Sequence, residues 1–300
     1  MHRHTDIIRA AGIAALIVFG ASCGRFGFDE EPRAADASLE PPIDASPGID
    51  AEPAPLPIVG CAEPPDPDTL ALYDFEIANS SGFLDTTGSH AGETVGALAF
   101  GQGAFDECGQ ALEFDGDLAN YAQVPDDPSF VIPEGSVDLW FRVDRVVDQF
   151  AGLISRDSQG TAGKGHFTVL VTTDERVIAR VQQEGGPIDN GLICTSPGVI
   201  KFGQWHHVGV NFGENTPAEL WVDGVRYDEP GLLGEGPCQS AEATAIDNPN
   251  PWGLGLVAFQ SDDGSVLPAV EPLEGALDHV RISRVQRDFS KVVLRPPDAP

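Results

Sequence analysis

Positive charge is scarce in this sequence: 17 Lys and Arg stand against 47 Asp and Glu in 300 residues, a formal charge of -30. Such a chain has no basic footprint for a phosphate backbone, which excludes DNA and RNA as partners, and its surface is repelled by anionic lipid headgroups. Long apolar runs are missing as well. The most apolar stretch, Ala10 to Phe19, falls short of the roughly 20 residues that a bilayer-spanning helix needs, so no permanent transmembrane helix is expected. From Leu70 to Val293 no 3.6-residue apolar period persists for three turns, which argues against a helical body. There is no Cys-x-x-Cys, and the cysteines from Cys61 onward, spaced by 44 residues or more, are unlike the ligands of a structural zinc site. From residue 61 onward the chain also lacks Gly-x-Ser-x-Gly, His-Glu-x-x-His and a phosphate-cradling glycine loop. Three common routes to catalysis are thereby without support.

What is present begins with a leader. A basic start (His2, Arg3, His4, Arg9) runs through the apolar stretch into Gly20-Ala21-Ser22-Cys23, and this order resembles a bacterial lipoprotein signal. The resemblance implies cleavage before Cys23 and a lipid on that residue. With Gly24 rather than Asp following, it implies placement at the outer membrane where the cell has two. An ordinary secretory signal that happens to contain a cysteine is the alternative, and on either reading the chain is exported. Residues 29 to 60 carry eight acidic residues, one basic residue and seven prolines. Such a segment buries too little surface to offset its ordering entropy, and proline and like charge both stretch it. A signal over 1–22, an acidic tether over 23–60 and a folded domain over 61–295 are therefore expected. Acidity is not confined to the tether, since residues 61 to 300 hold 38 Asp and Glu against 13 Lys and Arg. Solubility is the favoured reason, ahead of cation binding.

With Cys23 lipidated, an even number of cysteines remains: Cys61, Cys108, Cys194 and Cys238. In an exported chain that favours two disulfides. Three pairings are open, of which Cys61 with Cys108 and Cys194 with Cys238 is preferred because each pair closes one half of the domain.

The body alternates short apolar runs with Gly, Pro, Asp and Asn clusters, the pattern of an all-β sandwich or barrel. Expected strands are Ala71 to Phe75, Ala111 to Phe114, Tyr121 to Val124, Ser136 to Val143, Gly152 to Ser155, His166 to Thr172, Val177 to Gln182, Trp205 to Phe212, Glu219 to Val222, Gly253 to Ala258 and Ala276 to Ser283. So many runs suit two packed sheets better than one flat one. In Ser136 to Val143, residues Val137, Leu139, Phe141 and Val143 fall on one face, and Val208, Val210 and Phe212 repeat the pattern. Asp223-Gly224 sits between two strand-like flanks, a tight primed turn, and a second hairpin is expected around Asp174.

In order, Leu72 to Phe75, Asp85 to Gly88, Gly109 to Gly116, Tyr121 to Pro125, Ser136 to Phe141, Gly203 to Val208, Leu220 to Gly224 and Gly275 to Ile282 resemble the laminin G-like, or concanavalin A-like, jelly-roll domains. The resemblance implies an antiparallel two-sheet jelly-roll sandwich and a module that binds a glycan or a protein without catalysis. A carbohydrate-active enzyme is the alternative, because some members of the wider superfamily hydrolyse glycosides. The Glu-x-Asp-x-x-Glu of the lichenase-like branch does not occur here.

Period-two reading of Ala276, Asp278, Val280 and Ile282 places the Asp278 carboxylate on an apolar face, where it needs a partner or an ion. The resemblance implies calcium held by Asp278, Asp115 and Asp85, all hard oxygen ligands. Backbone or arginine hydrogen bonds to Asp278 are the equal alternative. His206 and His207, adjacent on a strand, point to opposite faces and are expected to be structural. Trp140 and Trp205 read as core, whereas Trp221 and Trp252 are candidates for a sugar-stacking platform, with cross-strand packing as the equal alternative. The loops Gln183 to Cys194 and Asp228 to Pro251 are where a ligand is expected.

Overall fold

The computed structural model describes residues 64–292, apart from 77, 80–81, 106–107, 160–165, 183–191, 228–231, 234–235, 238–241, 244–249, 258 and 262–269. Two antiparallel sheets carry the fold, and no α-helix occurs among the described residues. The first sheet runs in the order Val225–Tyr227, Trp205–Val222, Gly135–Val146, Leu273–Ser283, Cys108–Asp115 and Ala99–Phe105, with Thr69–Tyr73 also paired to Leu273–Ser283. The second runs Leu192–Cys194, Val177–Gln182, His166–Thr172, Phe150–Gln159, Trp252–Leu254, Tyr121–Val124, Gly92–Val95, Gly82–Phe83 and Ala78–Asn79.

Alternation decides which side chains meet between the sheets. Val137, Leu139, Phe141 and Val143 join Val208, Val210 and Phe212 from the first sheet, facing Ala151, Leu153, Phe167, Val169 and Val181 from the second, in one apolar core. Asp223 and Gly224 close the expected hairpin with φ of 50° and 78°, the left-handed pair of a primed turn, and Val222 lies opposite Val225. The hairpin at Asp174 is also present, with Val171 opposite Val177.

Trp205 to Phe212 and Glu219 to Val222, both within the extended run Trp205–Val222, lie side by side as expected of two strands, because the chain turns back between them and the Asp223 amide bonds to the His207 carbonyl at 3.0 Å. One expectation needs correction. The closing strand Leu273–Ser283 breaks its period-two pattern: Asp278 pairs with Trp140 and Arg281 with Asp138, so one extra residue, His279 at φ 48°, bulges out. Leu277, Val280 and Ile282 point into the core. Asp278 therefore belongs to the outer face of the first sheet, where it is still fully buried.

The outer face of that sheet is covered by the chain's last described turn. Gly209 has no Cβ, and one placed there would lie 2.5 Å from the Phe289 ring, so only glycine lets Phe289 settle onto the sheet. Arg287 clasps the entry of the domain, donating to both Asp66 carboxylate oxygens at 2.9 and 2.8 Å and to Ser283 Oγ at 2.7 Å. That guanidinium holds the Asp66 carboxyl far below the usual carboxylate range.

Candidate functional site

The polar groups of the outer face form a buried network. Asp138 is 5% exposed and accepts from Arg281 Nε at Oδ1 and Nη2 at Oδ2, at 2.9 and 3.0 Å, while His207 Nε2 lies 3.3 Å from the same Oδ2. Burial pushes the Asp138 carboxyl up, but the His207 hydrogen bond and the Arg281 charge outweigh it, leaving the carboxyl below its ordinary range. His207 Nδ1 is buried without a partner. Trp140 stands edge-on to the His207 ring at 5.4 Å and Phe289 lies 5.6 Å away, so the imidazole is enclosed.

His206 points the other way, as alternation requires. Its Nε2 accepts the Lys201 amide at 2.9 Å, which leaves the proton on Nδ1 to be donated to Asp223 Oδ2 at 2.6 Å. A His–Asp pair works as a general base only if the second ring nitrogen faces a reacting group. Here a backbone N–H occupies that nitrogen, so the pair pins the Asp223 turn to the strand.

The three carboxylates expected to hold calcium are not brought together, and no group of three or more His, Cys, Asp or Glu among the described residues is arranged to hold a metal. Asp85 accepts the amides of Leu72, Thr87, Ser89 and His90 between 2.9 and 3.1 Å and the Thr87 hydroxyl at 2.5 Å. Its burial raises the carboxyl, and this set of donors lowers it further than burial raises it. Asp278 accepts the amides of Ala104 and His279 at 2.8 and 2.7 Å, and His279 Nδ1 stands 2.9 Å from Oδ1 without hydrogen-bond geometry. Asp115 is exposed and accepts from the Asp117 amide and Asn120 Nδ2 in its own loop. The carboxylates of Asp85 and Asp278 are thus held by donors of the protein itself.

The tryptophans divide. Trp252 is 3% exposed and packs between Phe167, Phe130 and the Arg156 guanidinium at 5.4, 6.2 and 5.5 Å, so it is a core residue and offers no platform. Trp140 is buried as expected, whereas Trp205 is only half-buried, with the Arg142 guanidinium 5.6 Å over its ring. Trp221 is half-buried on the outer face, its indole N–H donating to Glu219 Oε2 at 3.2 Å.

Sequence reasoning missed Arg156 and Arg281. Arg156 is 1% exposed and donates to the carbonyls of Asn250 and Phe130 at 3.2 and 2.9 Å and to Asp126 at 2.5 Å. The available signal was an arginine in the strand run Leu153-Ile154-Ser155-Arg156. Cys194 is buried and disulfide-bonded. Cys23, Cys61, Cys238 and the Cys108 side chain lie outside the described residues, as do most of the loops Gln183 to Cys194 and Asp228 to Pro251.

Two antiparallel sheets, closed by a strand that pairs with both Cys108–Asp115 and Thr69–Tyr73, define a jelly-roll sandwich of the lectin type. The chain belongs to the concanavalin A-like lectin/glucanases superfamily, whose laminin G profile matches residues 115–288. No curated protein matches the sequence. Among solved structures, Trypanosoma rangeli sialidase in complex with sialic acid is similar at 14% identity and TM-score 0.52, covering 79% of this chain and 34% of that one. Domain 4 of AbnA, an extracellular arabinanase from Geobacillus stearothermophilus, in complex with arabinotriose, is similar at 16% identity and TM-score 0.50, over 75% of this chain and 98% of that one. The binding domain of botulinum neurotoxin DC in complex with rat synaptotagmin II gives 11% identity and TM-score 0.52, over 74% and 49%. At these identities the likeness is one of fold, and the chain spans about a third of the sialidase.

Proposed function

We propose that this protein is a lipid-anchored, exported recognition module that binds a glycan or a protein at the cell envelope without catalysis. One observation carries the reading. The residues that most resemble catalytic groups, His206 with Asp223 and His207 with Asp138, are committed to hydrogen bonds with the protein itself or enclosed by aromatic rings. The arabinanase domain of matching extent, seen with arabinotriose, supports a glycan as the ligand class. The leader, Cys23 and the acidic tether support a domain held away from a membrane surface.

The competing reading, a carbohydrate-active enzyme, draws on Glu271. Burial raises its carboxyl, and nearby Asp148 adds to the rise. A raised acid beside a second carboxylate is the pattern of a glycosidase pair. Against it, Glu271 Oε2 already accepts the Phe150 amide at 3.0 Å. The test is to label the protein with a fatty-acid analogue in cells, then screen it for glycan retention and glycan hydrolysis. Label on wild type and none on Cys23→Ala, with retention and no hydrolysis, is the expected result. Unchanged label on Cys23→Ala removes the anchor, and hydrolysis lost in Glu271→Gln replaces the module with an enzyme.

A further inference from the structure

We propose that the outer face of the hairpin Trp205–Val222/Val225–Tyr227 is a contact site for neutral sugar, centred on the indole of Trp221. This rests on the recognition reading above and gives it a place and a ligand chemistry. Leu220 and Val222 are buried in the core, so alternation turns Trp221 outward, and the ring is half-buried there. Two contacts fix its orientation: the N–H to Glu219 Oε2, and the edge against Phe289 with ring centroids 6.5 Å apart. Glu219 is itself held, by Asn211 Nδ2 at 3.0 Å and Arg226 Nη1 at 2.8 Å. A ring braced in this way loses little entropy when a ligand settles on it.

Arg226 pairs directly with Trp221, so both side chains stand on the same face, and the guanidinium side chain is 41% exposed. Among the described residues, the short strand Val225–Tyr227 is the last in the order of its sheet. An aromatic face flanked by a planar polar group matches a pyranose or furanose ring, whose C–H face packs on the indole while its hydroxyls meet the guanidinium. A purely apolar ligand would gain nothing from Arg226. Charge selects within the sugars: Glu219 adjoins the ring and the chain carries -30, so sulfated and uronic glycans are repelled.

The test applies the full chain, extracted in detergent, to an array of neutral gluco-, manno-, galacto- and arabino-oligosaccharides printed beside sulfated and uronate glycans. Wild type is expected to retain neutral members with little dependence on salt. Trp221→Ala is expected to weaken that retention about tenfold or more, as loss of an aromatic anchor does. Because Trp221→Ala also removes support for Phe289, Arg226→Ala is measured in parallel with the melting temperature of each variant. Arg226→Ala is expected to weaken retention with an unchanged melting temperature. Neutral glycans bound equally by wild type and both variants would overturn the site and leave the recognition reading standing. Preference for the acidic glycans would overturn the ligand class. No retention of any glycan would overturn both this proposal and the glycan branch of the function, leaving a protein partner.

Discussion

Replacing Asp138 with Asn keeps the shape of the side chain and removes its charge. Arg281, whose side chain is 14% exposed, then loses the counter-charge it meets at 2.9 Å, and an amide N–H₂ must take the place of one oxygen facing the guanidinium or His207. Breaking a buried ion pair by removing one partner costs ~3–5 kcal/mol, and the residual exposure of Arg281 places this variant near the lower figure, ~3 kcal/mol. For a domain of this size about 2–4 °C accompanies each kcal/mol, so the melting temperature should fall by about 6–12 °C. Circular dichroism melts at pH 7 with disulfides intact would read it. The double variant Asp138→Leu, Arg281→Met removes both charges and is expected to melt above Asp138→Asn, because a desolvated lone charge is worse than none. Acid adds a second readout. The Asp138 carboxyl is lowered in the fold, so the stability it contributes is present above its ordinary range and is lost as pH falls through the folded value, that is, below about 4. Asp138→Asn should lack that part of the acid dependence. A single variant within about 2 °C of wild type, or a double variant less stable than the single, would refute the assignment of this network as a buried ion pair.

Two further outcomes follow from the carboxylates and the cysteines. Asp278→Asn should destabilise the protein by about 1–3 kcal/mol through its two backbone donors, while wild type melts at the same temperature in calcium and in chelator; a midpoint raised by calcium would mean that the carboxylates bind the ion after all. An unreduced digest should yield a peptide pair joining Cys194 to Cys238, and Cys194 joined to any other cysteine would overturn that pairing.

The strands that alternate cleanly were legible before any coordinates. Tyr121–Val124, His166–Thr172 and Val177–Gln182 appear with the expected bounds, because one face of each is apolar and the register can be read from period two. Ala99–Phe105 was missed, since its run of alanine, glycine and one glutamine between two phenylalanines has no alternation to read. The error at Asp278 came from one residue. A bulge at His279 shifts every following side chain to the opposite face, and nothing local in Leu277-Asp278-His279-Val280 announces it.

The order of apolar runs, the Asp223-Gly224 turn and the inward rows of two long strands determined an antiparallel sandwich, because side-chain alternation and turn chemistry are local properties of the chain. The acidic balance likewise gives, from composition alone, the expectation that anionic partners are repelled. Tertiary structure decided what the polar residues do. Asp138 reads as a solvent-facing residue from its strand, yet Arg281 and His207 meet it and Phe289 seals the face beside it, contacts drawn from positions 69 or more residues away. Trp252 and Trp221 look alike in sequence. One is walled in by Phe130, Phe167 and Arg156, and the other stands on an outer face near the sheet edge, because only the packing of distant segments determines which side of a strand meets water.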